Sequence, residues 1–208
     1  MTRILPLVFT ALLLASPALE GEEPTAWRPA EGGALLGTPA PEWKGIQWIQ
    51  GEPTTLADLR GKVVLVRFWL MGCDYCTRTA PALRDLSNRY KDRGLVVVGL
   101  HHPKSEAARD PRAVARAARA LNLDFRIGLD NDWKAVRAYG VGSVFQRFTS
   151  VTFLIDRKGV IRFVHDGGEF HEGGGSEHAE CRAAYQALQA AVVEALGPVE
   201  PVGGRREK

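Results

Sequence analysis

Two cysteines with two residues between them, Cys73 and Cys76, stand in the stretch Met71-Gly72-Cys73-Asp74-Tyr75-Cys76-Thr77. A run of strand length, Val63 to Trp69, leads into them, and residues with helical spacing follow at once. Cysteines three apart on a helix start lie close enough to bridge. The unpaired N–H groups and partial positive charge of a helix N-terminus favour a thiolate there. The chemistry this suits is thiol–disulfide exchange, which needs an attacking thiolate, an accessible sulfur and a second thiol to release the mixed disulfide. A Cys-x-x-Cys closed only as a structural staple would remove little chain entropy, because its loop is tiny. A metal knuckle would need more ligands. The pair therefore reads as a redox device that carries electrons on its own sulfurs, with no cofactor.

Other residues invite chemistry less strongly. His101 and His102 follow a second apolar run and could end near the dithiol. His165, His171, His178 and Cys181 lie in or near a late glycine-rich loop. Together they could make a zinc or copper site, but their spacing fits no fixed template, and the reading adopted is loop histidines with no metal. Cys181, in Glu180-Cys181-Arg182, reads as a buried packing thiol. Trp69 reads as core beside the dithiol.

The elements that must position Cys73 and Cys76 can be taken in order. Ile46–Gln50 reads as a short strand, and Leu56–Lys62 as a helical turn ending at Gly61. After the strand Val63–Trp69, the helix of the two cysteines runs to about Asp92, with Ala80, Leu83, Leu86 and Tyr90 as its core face and Pro81 inside it, expected to kink its axis. Gly94 closes that helix, and Leu95–Leu100 is a second buried strand. Asp110-Pro111 caps and starts a helix whose Val114, Ala118 and Leu121 face inward and whose Arg112, Arg116 and Arg119 form a solvated basic stripe. Phe125–Leu129 is a strand, and Asp132 is expected to cap a helix carrying Trp133, Val136 and Tyr139. Val151–Asp156 and Val160–Val164 read as a β-hairpin around Arg157-Lys158-Gly159. A last amphipathic helix spans Glu177–Leu196. Alternating strands and helices imply an α/β fold, a mainly parallel sheet covered on both faces, with the hairpin as an antiparallel edge.

Length and composition agree with one domain plus short extensions: 208 residues, 45% of them apolar. The net charge of +3 gives no argument for nucleic acid or an anionic membrane. Three cysteines are too few for a disulfide-stapled scaffold. At the N-terminus, a basic start (Met1-Thr2-Arg3), the apolar Ile4–Ala15 and the small residues of Ser16-Pro17-Ala18 read as a secretory signal peptide over residues 1–18. The apolar run is too short to span a bilayer, so no stable membrane insertion is expected after cleavage. This reading places the dithiol in a periplasmic or secreted setting, where disulfides persist. Residues 19–34 read as a linker, 35–197 as the domain and 198–208 as a disordered tail.

Leu36-Gly37-Thr38-Pro39-Ala40-Pro41, Leu59-Arg60-Gly61-Lys62-Val63-Val64-Leu65-Val66, Phe68-Trp69, Cys73-x-x-Cys76 and Phe153-Leu154-Ile155-Asp156-Arg157-Lys158-Gly159 together resemble the thioredoxin-fold redoxins. The resemblance is greatest to secreted thiol–disulfide oxidoreductases of the TlpA/ResA type, and it covers roughly Leu35 to Leu196. It implies a thioredoxin-like three-layer α/β/α sandwich around a central mixed sheet. By position it makes Cys73 the attacking thiol and Cys76 the resolving one, with protein thiols or disulfides as substrates. The reductant it implies is kept charged by a membrane or soluble dithiol donor.

Cys73, at the helix start, is expected to be the more exposed of the pair and Cys76, one turn in, the more buried. Three positions depart from the family pattern. Gly72 stands where tryptophan is frequent. Arg67 stands where many thioredoxins carry an acid two residues before the strand tryptophan; a cation there favours a thiolate, as Asp74 opposes it. Ser150 or Val151 stands in place of the cis-proline that shapes the groove beside the dithiol. Arg147-x-x-Ser150-Val151 also resembles peroxiredoxins, but their Pro-x-x-x-Thr-x-x-Cys is absent, with Val66 and Leu70 at the matching positions. A thiol peroxidase and a non-enzymatic module binding copper or a partner protein remain the alternatives.

Overall fold

A computed structural model of the chain describes residues 35–141 and 149–198. The expected signal peptide, the linker and nearly all of the tail lie outside them, as does Arg147.

Six strands form one mixed sheet in the order β1-β4-β3-β2-β5-β6. β1 is Gln47–Gln50, β2 Val63–Trp69, β3 Leu95–His101, β4 Arg126–Leu129, β5 Thr152–Ile155 and β6 Ile161–His165. β2, β3 and β4 are parallel neighbours, while β1, β5 and β6 pair antiparallel at the two sides. The helices are α1 Asp74–Tyr90, α2 Pro111–Ala120, α3 Lys134–Ala138 and α4 Ala179–Leu196. Among the described residues no helix is long and apolar enough to cross a membrane.

Strand periodicity explains the layers. All seven residues of β2 are buried, and alternate ones serve opposite cores. Val63, Leu65 and Trp69 join Ala80, Leu83 and Leu86 of α1, Val114 and Ala118 of α2, and Tyr185, Leu188 and Val192 of α4. Val64, Val66 and Phe68 join Ala135 and Val136 of α3 with Trp43, Leu56 and Leu59. The expected three-layer α/β/α sandwich of thioredoxin type is therefore the fold, with the antiparallel hairpin β5–β6 at one edge.

Turn and cap chemistry sets the connections. Gly94 ends the α1 segment in the left-handed conformation, with φ +96°. Asp110 caps α2 through the backbone N–H of Arg112 at 2.9 Å. In the hairpin turn, Asp156 Oδ1 accepts the N–H groups of Lys158 and Val160 at 2.8 and 2.9 Å. One cap differs from expectation. The start of α3 is held by buried Asp130, whose two oxygens accept the N–H groups of Lys134 and Val136, both at 2.8 Å. Asp132 is exposed and pairs instead with Lys134. Sequence spacing favoured the nearer acid, but the chain enters α3 through Trp133 in a left-handed conformation, φ +59°, and that bend turns the helix start back over the end of β4.

Gly99 of β3 lies opposite Arg67 of β2 and Ile127 of β4. A Cβ there would stand 2.8 Å from Ile127 Cδ1 and 3.1 Å from Trp69 Nε1. Gly99→Ala is expected to destabilise the fold by about 1–3 kcal/mol through overpacking. The measurement is the urea midpoint; an unchanged midpoint would mean that Ile127 and Trp69 move aside freely.

Candidate active site

The dithiol sits where β2 hands over to α1. Gly72, with φ +77°, makes the turn between them in a conformation that side chains resist. Cys73 is the N-cap residue, extended at φ −92° and ψ 116°, and its carbonyl accepts the N–H of Thr77 at 3.0 Å. Its sulfur does what a serine or aspartate oxygen usually does at this position: the backbone N–H of Cys76 donates to Cys73 Sγ at 3.2 Å. The two cysteines are reduced, Cys73 partly exposed and Cys76 only 5% exposed. That is the asymmetry of exposure expected for a helix-start pair.

The two thiols are driven apart in acidity. The thiol–thiol hydrogen bond with Cys76 lowers the Cys73 pKa most. Burial opposes it, and the N–H of Cys76, the charge of Arg67 and the N–H of Tyr75 assist, bringing the pKa from 9.0 to about 6. The same hydrogen bond, then burial, pushes Cys76 far above the usual thiol range, against the pull of Arg67 and the N–H of Leu70. A pair with one sulfur ionised and its neighbour protonated can attack at one atom while holding the second in reserve.

Arg67 is the unusual component. It has the same strand parity as Val63, Leu65 and Trp69, so its side chain enters the face that α1 covers. It is 1% exposed. Its guanidinium donates to Thr152 Oγ1 at 3.0 Å and to the carbonyl of Gly168 at 2.8 Å, and lies 5.5 Å from the Phe170 ring centre. Burial lowers its pKa, and the cysteines, Cys76 before Cys73, work the other way. The sheet register sets His165, Thr152, Arg67 and Gly99 side by side in one cross-strand row. Apart from Gly99, the row is polar and buried beneath α1.

The other candidates distribute as follows. His101 ends β3 beside Trp69 and His102 follows it, but both are buried. His101 packs on Trp69 at 5.0 Å between ring centres and His102 on Trp133 at 4.9 Å. Burial holds their pKa values near 4 and 3, so both stay neutral at ordinary pH. His165 is buried against Phe170. Ser150 and Val151, in place of the expected proline, are buried, and the Val151 carbonyl accepts the N–H of Phe68 at 2.9 Å. Cys181 is not a core thiol. It is partly exposed at the start of α4, where it gathers with Glu169, His171 and His178. The partners of Arg67 in the loop after β6 had no signal in the chain order; the parity of Arg67 within an otherwise apolar strand was the one available clue.

These charges have a measurable consequence. Alkylation of the reduced chain is expected to titrate with a midpoint near pH 6 at Cys73 and to spare Cys76. In Arg67→Met the Cys73 midpoint should rise by about one unit or more; an unmoved midpoint would remove Arg67 from the account. Because the folded pKa of Cys73 lies below its unfolded value, its thiolate stabilises the reduced fold fully only above the unfolded pKa, and that contribution is lost as pH falls through about 6. The urea midpoint of the reduced chain, relative to the oxidised chain, should therefore climb from about pH 6 to about pH 8.

Known proteins resemble this chain in sequence and in fold. Protein DipZ of Mycobacterium tuberculosis is 36% identical over 132 residues, which is 62% of this chain and 18% of DipZ. The thiol-disulfide oxidoreductase ResA of Bacillus anthracis is 28% identical over 113 residues, 54% of this chain and 60% of ResA. This chain thus spans less than two thirds of the length of either relative. A thiol-disulfide isomerase from Corynebacterium glutamicum superposes with a TM-score of 0.59 at 22% identity, over 77% of this chain and 98% of that one, a likeness of fold. The pattern of the AhpC/TSA family matches residues 36–164, from ahead of β1 almost to the end of β6 and across both cysteines, and the chain belongs to the AhpC/TSA family.

Proposed function

We propose that this chain is a thiol–disulfide oxidoreductase acting on protein substrates, with Cys73 as the attacking sulfur and Cys76 as the resolving one. The observation that carries the reading is the hydrogen-bonded pair itself: a partly exposed sulfur capping α1, lowered to a pKa of about 6, with a buried thiol one turn behind it.

In the reducing direction, the Cys73 thiolate attacks one sulfur of a substrate disulfide. A Cys73–substrate disulfide forms, and the other substrate sulfur leaves as a thiolate and takes a proton. Cys73 no longer carries charge at that point, so the thiol–thiol interaction that raised Cys76 is gone while Arg67 remains beside it. Cys76 then loses its proton and attacks Cys73 Sγ, which closes the Cys73–Cys76 disulfide and expels the second substrate thiol. Two electrons have moved to the substrate, and an external dithiol donor must return them. Run backwards, the same steps oxidise a substrate dithiol. Arg67 is in this reading a positioning charge, favouring whichever cysteine is anionic at each stage.

We also place the chain outside the cytoplasm, on the basic start, apolar run and small residues of positions 1–18. Residues 35–197 would be the redox domain, and mass spectrometry of the exported protein should find it beginning at residue 19.

Trapping tests the roles of the two sulfurs. Cys76→Ser should accumulate a mixed disulfide with a disulfide-bonded protein such as insulin, while Cys73→Ser should form none and lose turnover. The reverse pattern would exchange the roles, and turnover surviving in both variants would end the dithiol mechanism.

A further inference from the structure

The loop after β6 and the start of α4 bring four metal-ligating side chains together outside the dithiol. Glu169 and His171 flank Phe170, which is fully buried and whose N–H donates to Thr79 Oγ1 at 3.3 Å. His178 ends a 3-10 turn, Ser176–His178, and Cys181 lies in the first turn of α4. The backbone N–H of His171 reaches the carbonyl of Cys181 at 3.4 Å and ties the loop to the helix. One donor atom from each of the four residues falls within 4.8 Å of the others, and all four side chains are partly buried. We propose that Glu169, His171, His178 and Cys181 form a second centre in this protein, a binding site for a zinc-type divalent cation.

The arrangement around each donor supports this. Glu169 divides its oxygens. Oε2 is held by Arg78, while Oε1 faces Cys181 Sγ at 3.7 Å and His178 Nδ1 at 3.8 Å. His171 Nδ1 lies 2.9 Å from the carbonyl of Gly173, which can only accept; the proton therefore sits on Nδ1 and leaves Nε2 with its lone pair. His178 turns its other nitrogen, Nε2, to the Glu177 carboxylate at 3.8 Å. Each proposed ligand except the thiol thus has a polar neighbour at its second polar atom, Arg78 for Glu169, the Gly173 carbonyl for His171 and Glu177 for His178, where metal-bound side chains commonly have outer partners. Gly174 makes room for one of them: a Cβ there would stand 2.6 Å from His178 Cδ2.

One thiolate, two imidazoles and one carboxylate form a four-donor set of the kind zinc takes. Donors on a tetrahedron with bonds of about 2.0–2.3 Å lie about 3.3–3.8 Å apart. Two separations already have that size, and the widest in the group, 4.8 Å, needs to close by about 1 Å. Without an ion the Cys181 thiol points its proton at Glu169 Oε1; a cation would take that proton's place, bound to the sulfur as thiolate and to the carboxylate together. An open cleft of about 510 Å³, lined in part by Arg78, His171 and His178, gives an ion a way in. This inference does not depend on the dithiol reading, and its test is run with the dithiol closed.

In the full chain with Cys73 and Cys76 oxidised to a disulfide, Cys181 is the one remaining thiol of three. Titration with cobalt(II) should give one equivalent of binding, a thiolate-to-cobalt charge-transfer band and the intense visible bands of a four-coordinate ion, all displaced by one equivalent of zinc(II). Cys181→Ser should abolish the charge-transfer band, and His171→Ala should weaken zinc binding by about 100-fold or more. Absence of stoichiometric binding, a six-coordinate cobalt spectrum without the thiolate band, or unchanged affinity in both variants would overturn the proposal.

Discussion

A guanidinium with almost no contact with water is the constraint around which this structure is arranged. Arg67 sits in the central strand, where every neighbour along the strand is apolar and buried. Burial on that scale disfavours charge strongly, and an arginine cannot escape by losing its proton. Its hydrogen-bond acceptors, Thr152 Oγ1 and the Gly168 carbonyl, are neutral. The groups that most favour its charge are the two cysteines, through whichever of their sulfurs is ionised. The cation thus finds its compensation in the dithiol, and the dithiol finds in the cation a reason to ionise. Many thioredoxins carry an acid at this place, and exchanging it for a cation inverts the sign of the field the sulfurs experience.

The same residue ties the sheet to the loop that follows it. The Gly168 carbonyl that accepts from Arg67 directly precedes Glu169, whose carboxylate reaches Arg78 on α1. Phe170, packed beneath the guanidinium, is anchored to α1 through Thr79. The loop is thus fastened on one side to the strand below the dithiol and on the other to the helix that carries it. Glycines let it turn there, and its remaining polar side chains collect at the start of α4. The gathering of histidines and a thiol follows from where the loop is pinned.

Much of this was legible in the order of residues. The apolar run ending at Gly72, followed by Cys73-x-x-Cys76, dictates a strand, a sharp turn and a helix start. The capping role of Asp110, the closure at Gly94 and the hairpin around Gly159 were all readable for the same reason, since each is decided within a few residues. Asp130 shows where such reasoning stops. Two acids stand near the start of α3, and which one caps it depends on the left-handed Trp133 between them. Cys181 shows a second limit. The usual burial of free thiols made it look like core, yet it stands between Glu180 and Arg182 on the rim of α4 that faces the loop carrying Glu169.

The sequence by itself determined the local elements and the position of the two sulfurs on a helix end, because backbone preference, capping and hydrophobic period act over short distances. Tertiary structure alone decided what surrounds those sulfurs. The row of His165, Thr152, Arg67 and Gly99 is drawn from four strands, and Glu169 meets Cys181 only after the loop closes. Electrostatic fields and ligand clusters act through space, so residues far apart in the chain set the acidity of a thiol that its immediate neighbours can only place.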